Sequence, residues 1–256
     1  MSRRLLAFAT LSLTVSFLGL GDASAGPNED GVVILHAVPY QSRNAPDPCT
    51  LDATLNSCSE ANYHIDDANL WDWFVLAVFP SGRTPRVMGA TFGIDYDDSK
   101  VFVLTYQACA DFELPTPNWP GPGEGVAVTW ATPQTDTFVK MYAFVGYEYY
   151  GTGQSFCLTP HPNHGGTFAD DSIPSVLDPI ADYGCLGFNS DPGYLPCPIG
   201  MLGACCLPGG GCVVLSEEEC AAGQGDWIGA DVPCDPDPCA VPTVESSWGT
   251  VKRNFR

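Results

Sequence analysis

Leu70-Trp71-Asp72-Trp73-Phe74-Val75-Leu76-Ala77-Val78-Phe79, closed by Pro80-Ser81-Gly82, is an aromatic and β-branched run that ends in a turn signal. It reads as a buried β-strand, and the segments around it read the same way. Upstream, Gly31-Val32-Val33-Ile34-Leu35-His36-Ala37-Val38 is a second apolar run. Downstream, residues 87–96 and 100–106 form neighbouring strands joined by Asp97-Asp98-Ser99, and 125–131, 137–149, 155–159 and 183–188 supply further strands. No stretch holds an apolar period of 3.6, and 23 prolines with 27 glycines would interrupt helices repeatedly. The fold class expected is therefore all-β: a β-sandwich or jelly roll over residues 26–198. A domain of that size buries a core of its own.

The first 25 residues read differently. Arg3 and Arg4 precede a mostly apolar stretch ending at Leu20, and Ala23-Ser24-Ala25 has the small-x-small pattern cut by signal peptidase. The apolar stretch is short for a membrane span, and no other segment qualifies, so no transmembrane anchor is expected. Cleavage after Ala25 would remove Arg3, Arg4 and Asp22, leaving 8 basic against 29 acidic residues and a net charge of −21, close to the −20 of the whole chain. Such a charge would be repelled by nucleic acid, which is excluded as a partner.

Six of the twelve cysteines fall between Cys205 and Cys239. An even count in an exported chain predicts full pairing, with Cys49, Cys58, Cys109, Cys157, Cys185 and Cys197 in the sandwich and Cys205, Cys206, Cys212, Cys220, Cys234 and Cys239 in a disulfide-rich module over 199–242. The absence of any C-x₂-C spacing argues against zinc in the module. A Cys49–Cys58 bridge is the one local pairing expected, and the vicinal Cys205 and Cys206 should take different partners. The module's sizeable apolar residues are Val213, Val214, Leu215, Trp227 and Ile228, and Ser216-Glu217-Glu218-Glu219 has the form of a capping box.

The spacing CC-x₅-C-x₇-C-x₁₃-C-x₄-C, with Trp227 between the fourth and fifth cysteines, resembles a small Cys-rich module that recurs near the C-termini of secreted proteins of uncultured bacteria. Gly89-Ala90-Thr91-Phe92-Gly93-Ile94-Asp95-Tyr96-Asp97 is similar to a strand of cohesin-like sandwiches. Those are protein-docking modules, so the resemblance implies a binding role without naming a partner. The tail over 243–256 resembles short C-terminal tails of other exported proteins of such bacteria. It gathers Lys252, Arg253 and Arg256, and a helix there would place Trp248, Val251 and Phe255 on one face. A sorting signal read by export machinery is the role implied.

Candidate chemistry is sparse. His161-Pro162-Asn163-His164 with Asp170 and Asp171 has the donors of a transition-metal site. Asp95 and Asp97, together with Asp66 and Asp67, offer oxygen ligands for calcium, though the EF-hand glycine and closing glutamate are missing. No motif requires a cofactor; calcium is the ion these carboxylates suit. No G-x-S-x-G elbow or nucleotide-binding loop occurs. Tyr147, Tyr149 and Tyr150 are the aromatics best placed to stack on a ligand such as a glycan. Hevein-like chitin binding is disfavoured, because Leu207-Pro208-Gly209-Gly210-Gly211 replaces the aromatics it needs. The expected function is a non-catalytic structural or ligand-binding protein, secreted or at the cell surface, meeting a protein or glycan there. The alternatives are a secreted hydrolase of polysaccharide or peptide and a carbohydrate-binding module.

Overall fold

The computed structural model describes residues 26–41, 47–198, 200, 202–230 and 232–239. The signal-like segment and the basic tail, with Trp248, Lys252, Arg253, Phe255 and Arg256, lie outside the described residues. The chain is built on β-strands, and one short helix occurs among the described residues.

Four strands make the smaller sheet of the sandwich: β1 (Val32–Pro39), β3 (Trp71–Val78), β5 (Val101–Ala108) and β8 (Phe138–Glu148), in the order β1-β3-β8-β5. The larger sheet is centred on β4 (Val87–Tyr96). On one side β4 pairs with β7 (Gly125–Gln134), which pairs with β6 (Phe112–Pro115). On the other side the two ends of β4 take different neighbours. One end pairs with β10 (Thr167–Ala169) and then β11 (Leu177–Pro179); the other pairs with β9 (Gln154–Thr159), β12 (Cys185–Phe188) and β2 (His64–Ile65). Among the described strands, all pairings are antiparallel except β12 with β2, and a single parallel bridge joins Val33 to Tyr183. The strands expected at 87–96 and 100–106 do follow one another through Asp97-Asp98-Ser99, but they do not pair. Asp97 caps a turn that carries the chain from the larger sheet to the smaller one, accepting from Ser99 N at 3.1 Å.

The unbroken apolar run of β3 has a direct cause. Trp73, Val75 and Ala77 face the larger sheet and pack with Phe92, Phe156 and Phe188, while Phe74, Leu76 and Val78 face away and are equally buried. That second face is covered by residues 47–61, whose Ala53, Leu55, Cys58 and Ala61 complete a separate core layer. A strand buried on both faces reads as a continuous apolar run rather than an alternating one. Little regular structure holds residues 47–61 in place: two short 3₁₀ turns, Pro48–Thr50 and Cys58–Glu60. Disulfides and charge-assisted hydrogen bonds hold it instead. Cys49 bonds Cys109 and Cys58 bonds Cys197, so the expected Cys49–Cys58 bridge is not formed; the two cysteines tie opposite ends of one flap to different parts of the sandwich. The Lys140 ammonium donates to Cys49 O at 3.0 Å and Leu51 O at 2.6 Å. Burial holds this lysine below its ordinary pKa, an effect that the nearby Asp52 and Asp47 oppose.

In the C-terminal part, β14 (Cys212–Ser216), β13 (Leu202–Cys206) and β15 (Asp226–Ala230) form a three-stranded sheet in that order, with α1 (Glu217–Ala222) between β14 and β15. The capping box forms as expected: Ser216 Oγ accepts from Glu219 N and Glu219 Oε2 accepts from Ser216 N. The apolar residues expected as its core do not make one. Val213, Val214 and Ile228 are exposed, and Leu215 and Trp227 only half-buried. What is buried is Ala204 and the Cys205–Cys220 cystine, with Cys206–Cys239 and Cys212–Cys234 around them. A three-stranded sheet this small has too little apolar surface for a conventional core, so sulfur takes its place.

The remaining pair, Cys157–Cys185, joins residues directly opposite in β9 and β12, where the sheet already holds the strands together. Cys58–Cys197 closes 139 residues and pins the flap. Chemical denaturation of the paired alanine variants should therefore separate them. C58A/C197A is expected to lose about 4–5 kcal/mol, and C157A/C185A distinctly less.

Candidate binding face

The two sheets differ in how their outer surfaces are finished. The flap covers β1, β3 and β8 of the smaller sheet, whereas among the described residues no such layer lies over β6, β7, β4, β10 and β11 of the larger one. In these strands Val126, Val128, Ala90, Phe92 and Phe168 point into the core, so the alternate residues point out. The pairing register sets those outward residues in two rows. One row runs Phe112, Thr129, Gly89, Ala169, Leu177; the other runs Leu114, Ala127, Thr91, Thr167, Pro179. Small residues form the floor. Phe112 and Leu114, 62% and 63% exposed, stand at one end, and Leu177, 61% exposed, at the other. The result is a shallow trough; at a strand spacing of about 4.8 Å it runs about 19 Å across the five strands. Its deeper part, a depression of about 340 Å³, lies over β7, β4, β10 and Leu177, with His164 at its margin. None of its ten row positions is charged, in a chain of net charge −20.

Both edges of this face are protected from the inside. Glu113 lies opposite Val128 on the inward row and accepts from the Tyr142 hydroxyl at 2.8 Å; Asp178 lies opposite Phe168 and accepts from Gly26 N and Asn28 N. Inward-pointing carboxylates on β6 and β11 interrupt edge-to-edge strand pairing while leaving the outer face apolar. Tyr142 is buried, takes a hydrogen bond from Trp119 Nε1 at 2.7 Å and is held far above the ordinary phenol pKa by that burial.

The residues singled out from the sequence do not converge on one site. Asp95 and Asp97 are exposed, and the Asp97 carboxylate serves Ser99 and Lys100. Asp66 pairs with His64, and Asp67 accepts from Asn69 N and Trp71 Nε1. Asp170 is buried and caps its own loop through Ser172 and Val176, while Asp171 pairs with Arg86. His161 is buried against Gly125, where a Cβ would meet its ring, and its Nδ1 accepts from Asn163 N at 3.1 Å. The rings of His161 and exposed His164 lie 4.9 Å apart. Among the described residues, the one group of three His, Cys, Asp or Glu ligand atoms within 4.8 Å of one another is Cys212, Asp237 and Cys239, and both cysteines are in disulfides.

Tyr149 and Tyr150 are exposed, as expected, and Tyr147 is half-buried in a stack on Phe102. Their rings stand edge to face, at 64° between Tyr147 and Tyr149 and 88° between Tyr149 and Tyr150. Flat stacking on consecutive sugars needs coplanar rings, which this arrangement does not offer. Glu148 between them is fully buried and accepts from Tyr150 N, Gly151 N and Asn189 Nδ2, so it serves the turn. A second depression of about 340 Å³ surrounds Lys140, whose ammonium is committed to the flap carbonyls.

In the sequence the trough leaves its trace in β7, where Gly125-Val126-Ala127-Val128-Thr129-Trp130 alternates large residues with small ones. An exposed sheet face ordinarily shows polar or charged residues at the outward positions, and here they are small and uncharged.

No protein-family model matches this chain, and no curated protein matches it. Solved structures similar to it are cohesin modules. The OlpA cohesin of Clostridium thermocellum, in a cohesin–dockerin complex, is 12% identical with a TM-score of 0.39, covering 62% of this chain and 98% of that one. The cohesin module of the Clostridium perfringens family 33 glycoside hydrolase is 8% identical, with a TM-score of 0.37 and the same coverages. CaCohA2 of Clostridium acetobutylicum is 13% identical, with a TM-score of 0.37, 51% of this chain and 89% of that one. The chain is a β-sandwich followed by a disulfide-rich segment, and likeness at this level assigns it neither family nor partner.

His36 and His161 give the native state a defined acid limit. Both are buried, both use Nδ1 as an acceptor, and burial is the largest cause holding each below its ordinary pKa of 6.5. Below that pH the unfolded chain takes up protons the folded chain refuses, so stability should fall as pH drops from about 6.5 towards 5. The depressed carboxylates, such as Asp97 and Asp170, act lower, below their ordinary 3.8. Urea unfolding at stepped pH checks this: H36Q/H161Q should flatten the slope between pH 6.5 and 5, and an unchanged slope would contradict it.

Proposed function

We propose that this chain is a non-catalytic binding protein that works outside the cytoplasm and takes a protein partner on the bare outer face of its larger sheet. The uncharged trough with its Phe112, Leu114 and Leu177 walls carries this reading. An exposed, contiguous apolar face on an otherwise strongly acidic chain costs solubility unless something covers it. Its floor offers few hydrogen-bonding groups for a sugar, and its length suits a single apolar ridge laid across the strands. Six disulfides with no free cysteine support the location, since such pairing persists in oxidising compartments. No helix among the described residues is long and apolar enough to cross a membrane. No cofactor, and no calcium or other metal at the aspartates and histidines, is part of this reading.

The test is retention of a partner from envelope and medium fractions of the producing cells, followed by crosslinking. A127R and T91R place a charge on the floor and should weaken retention at least tenfold, because about 1.4 kcal/mol suffices for that and burying an unpaired charge exceeds it. Thermal unfolding should stay cooperative. Retention that survives both changes but is lost in Y149A/Y150A would move the site to the tyrosines and favour a glycan.

The basic tail supplies the second part of the proposal, a signal for sorting or attachment by export machinery. Deletion of 247–256 should leave the sandwich folded and shift the protein between cell surface and medium; an unaltered distribution would remove that role.

A further inference from the structure

Gly26 and Asp178 meet at one end of the sandwich. The Gly26 nitrogen donates to Asp178 Oδ1 at 2.7 Å and the Asn28 nitrogen to Oδ2 at 2.9 Å. Asp178 is 3% exposed, and no Lys, Arg or His side chain pairs with it among the described residues. A buried carboxylate compensated only by two neutral N–H donors is expensive, because desolvation is not offset by opposite charge. Gly26 is itself buried, and a Cβ there would collide with both carboxylate oxygens, so only glycine brings its nitrogen this close. Asn28 is fully buried and fixes the same turn to the Arg86 backbone, its Oδ1 accepting from Arg86 N at 2.8 Å. The sequence directly before this turn is Ala23-Ser24-Ala25.

We propose that Gly26 is the N-terminal residue of the mature protein and that its α-ammonium forms a buried ion pair with Asp178. This rests on the export reading above but not on the trough. Signal-peptidase hydrolysis of the Ala25–Gly26 bond consumes one water: Ala25 leaves as a carboxylate and Gly26 gains the hydrogens that turn a neutral amide nitrogen into an ammonium. Leader removal thereby creates the positive charge that the fold lacks beside Asp178. Processing then does more than release the chain, because it completes the core at the end of β11.

The experiment compares the full mature chain beginning at Gly26 with the same chain carrying Ser24-Ala25 ahead of it, each with Asp178 and with D178N. With Asp178 present, the extension should raise the unfolding equilibrium constant on the order of tenfold, the difference between a charge-assisted and a neutral hydrogen bond. With D178N the extension should change little. N-terminal sequencing of the exported protein should begin at Gly26. The mature α-amine should also react with an acylating reagent at least an order of magnitude more slowly than that of a free glycyl peptide, a readout that holds even if D178N does not fold. Equal stability of the two forms with Asp178, an exported N-terminus elsewhere, or an α-amine of ordinary reactivity would overturn the proposal.

Discussion

Strand β3 is buried on both faces, and the arrangement of the molecule follows from that. One face is satisfied in the usual way for a sandwich, by Phe92, Phe156 and Phe188 of the opposing sheet. The other needs a lid, and with almost no helix available the lid is an irregular flap over 47–61. Irregular backbone pays full conformational entropy for its order, so it must be tied from outside. Cys49–Cys109, Cys58–Cys197 and the half-buried Lys140 are those ties. The sandwich disulfides are thus placed where hydrogen-bonded secondary structure is missing, Cys157–Cys185 excepted.

The same logic separates the two outer surfaces. Bulky Phe74, Leu76 and Val78 lie under the flap; on the opposite outer face Thr129 is exposed and the small Thr91 and Ala127 are half-buried without such a layer over them. Small outward residues keep an uncovered face tolerable while leaving it flat enough to accept another surface. The inward carboxylates Glu113 and Asp178 bound that face at its two edge strands. Open floor and guarded edges together favour contact through side chains over pairing through backbone.

Much of this was legible beforehand, and the exceptions have physical reasons. Runs such as 70–79 and 87–96 announce themselves because a doubly buried or strictly alternating strand leaves a strong pattern. The short β6, β10 and β11 do not, since three or four residues of Phe-Glu-Leu-Pro or Leu-Asp-Pro carry no period worth reading. Those are the strands that wall the trough, so the candidate site was hidden with them. Partners of Cys49 and Cys58 lie 60 and 139 residues away, a matter of topology that local spacing does not encode. The Cys205–Cys220 core was missed for a different reason: hydrophobicity marks valines and isoleucines as interior, while in so small a unit the densest atoms available are sulfur. The capping box at Ser216, by contrast, lies within four consecutive residues, Ser216 to Glu219, and is legible from them alone.

That sulfur core also orders events in time. Cys206 must wait for Cys239, 33 residues further along the chain, and Cys212 for Cys234, 22 residues further along, before either cystine can close. A chain cut short before 239 would leave Cys206 without its partner, whatever the state of the sandwich ahead of it. The C-terminal module therefore reports on its own closure: three formed cystines mean that each strand of the small sheet has found its place, and a stray thiol marks a module left open.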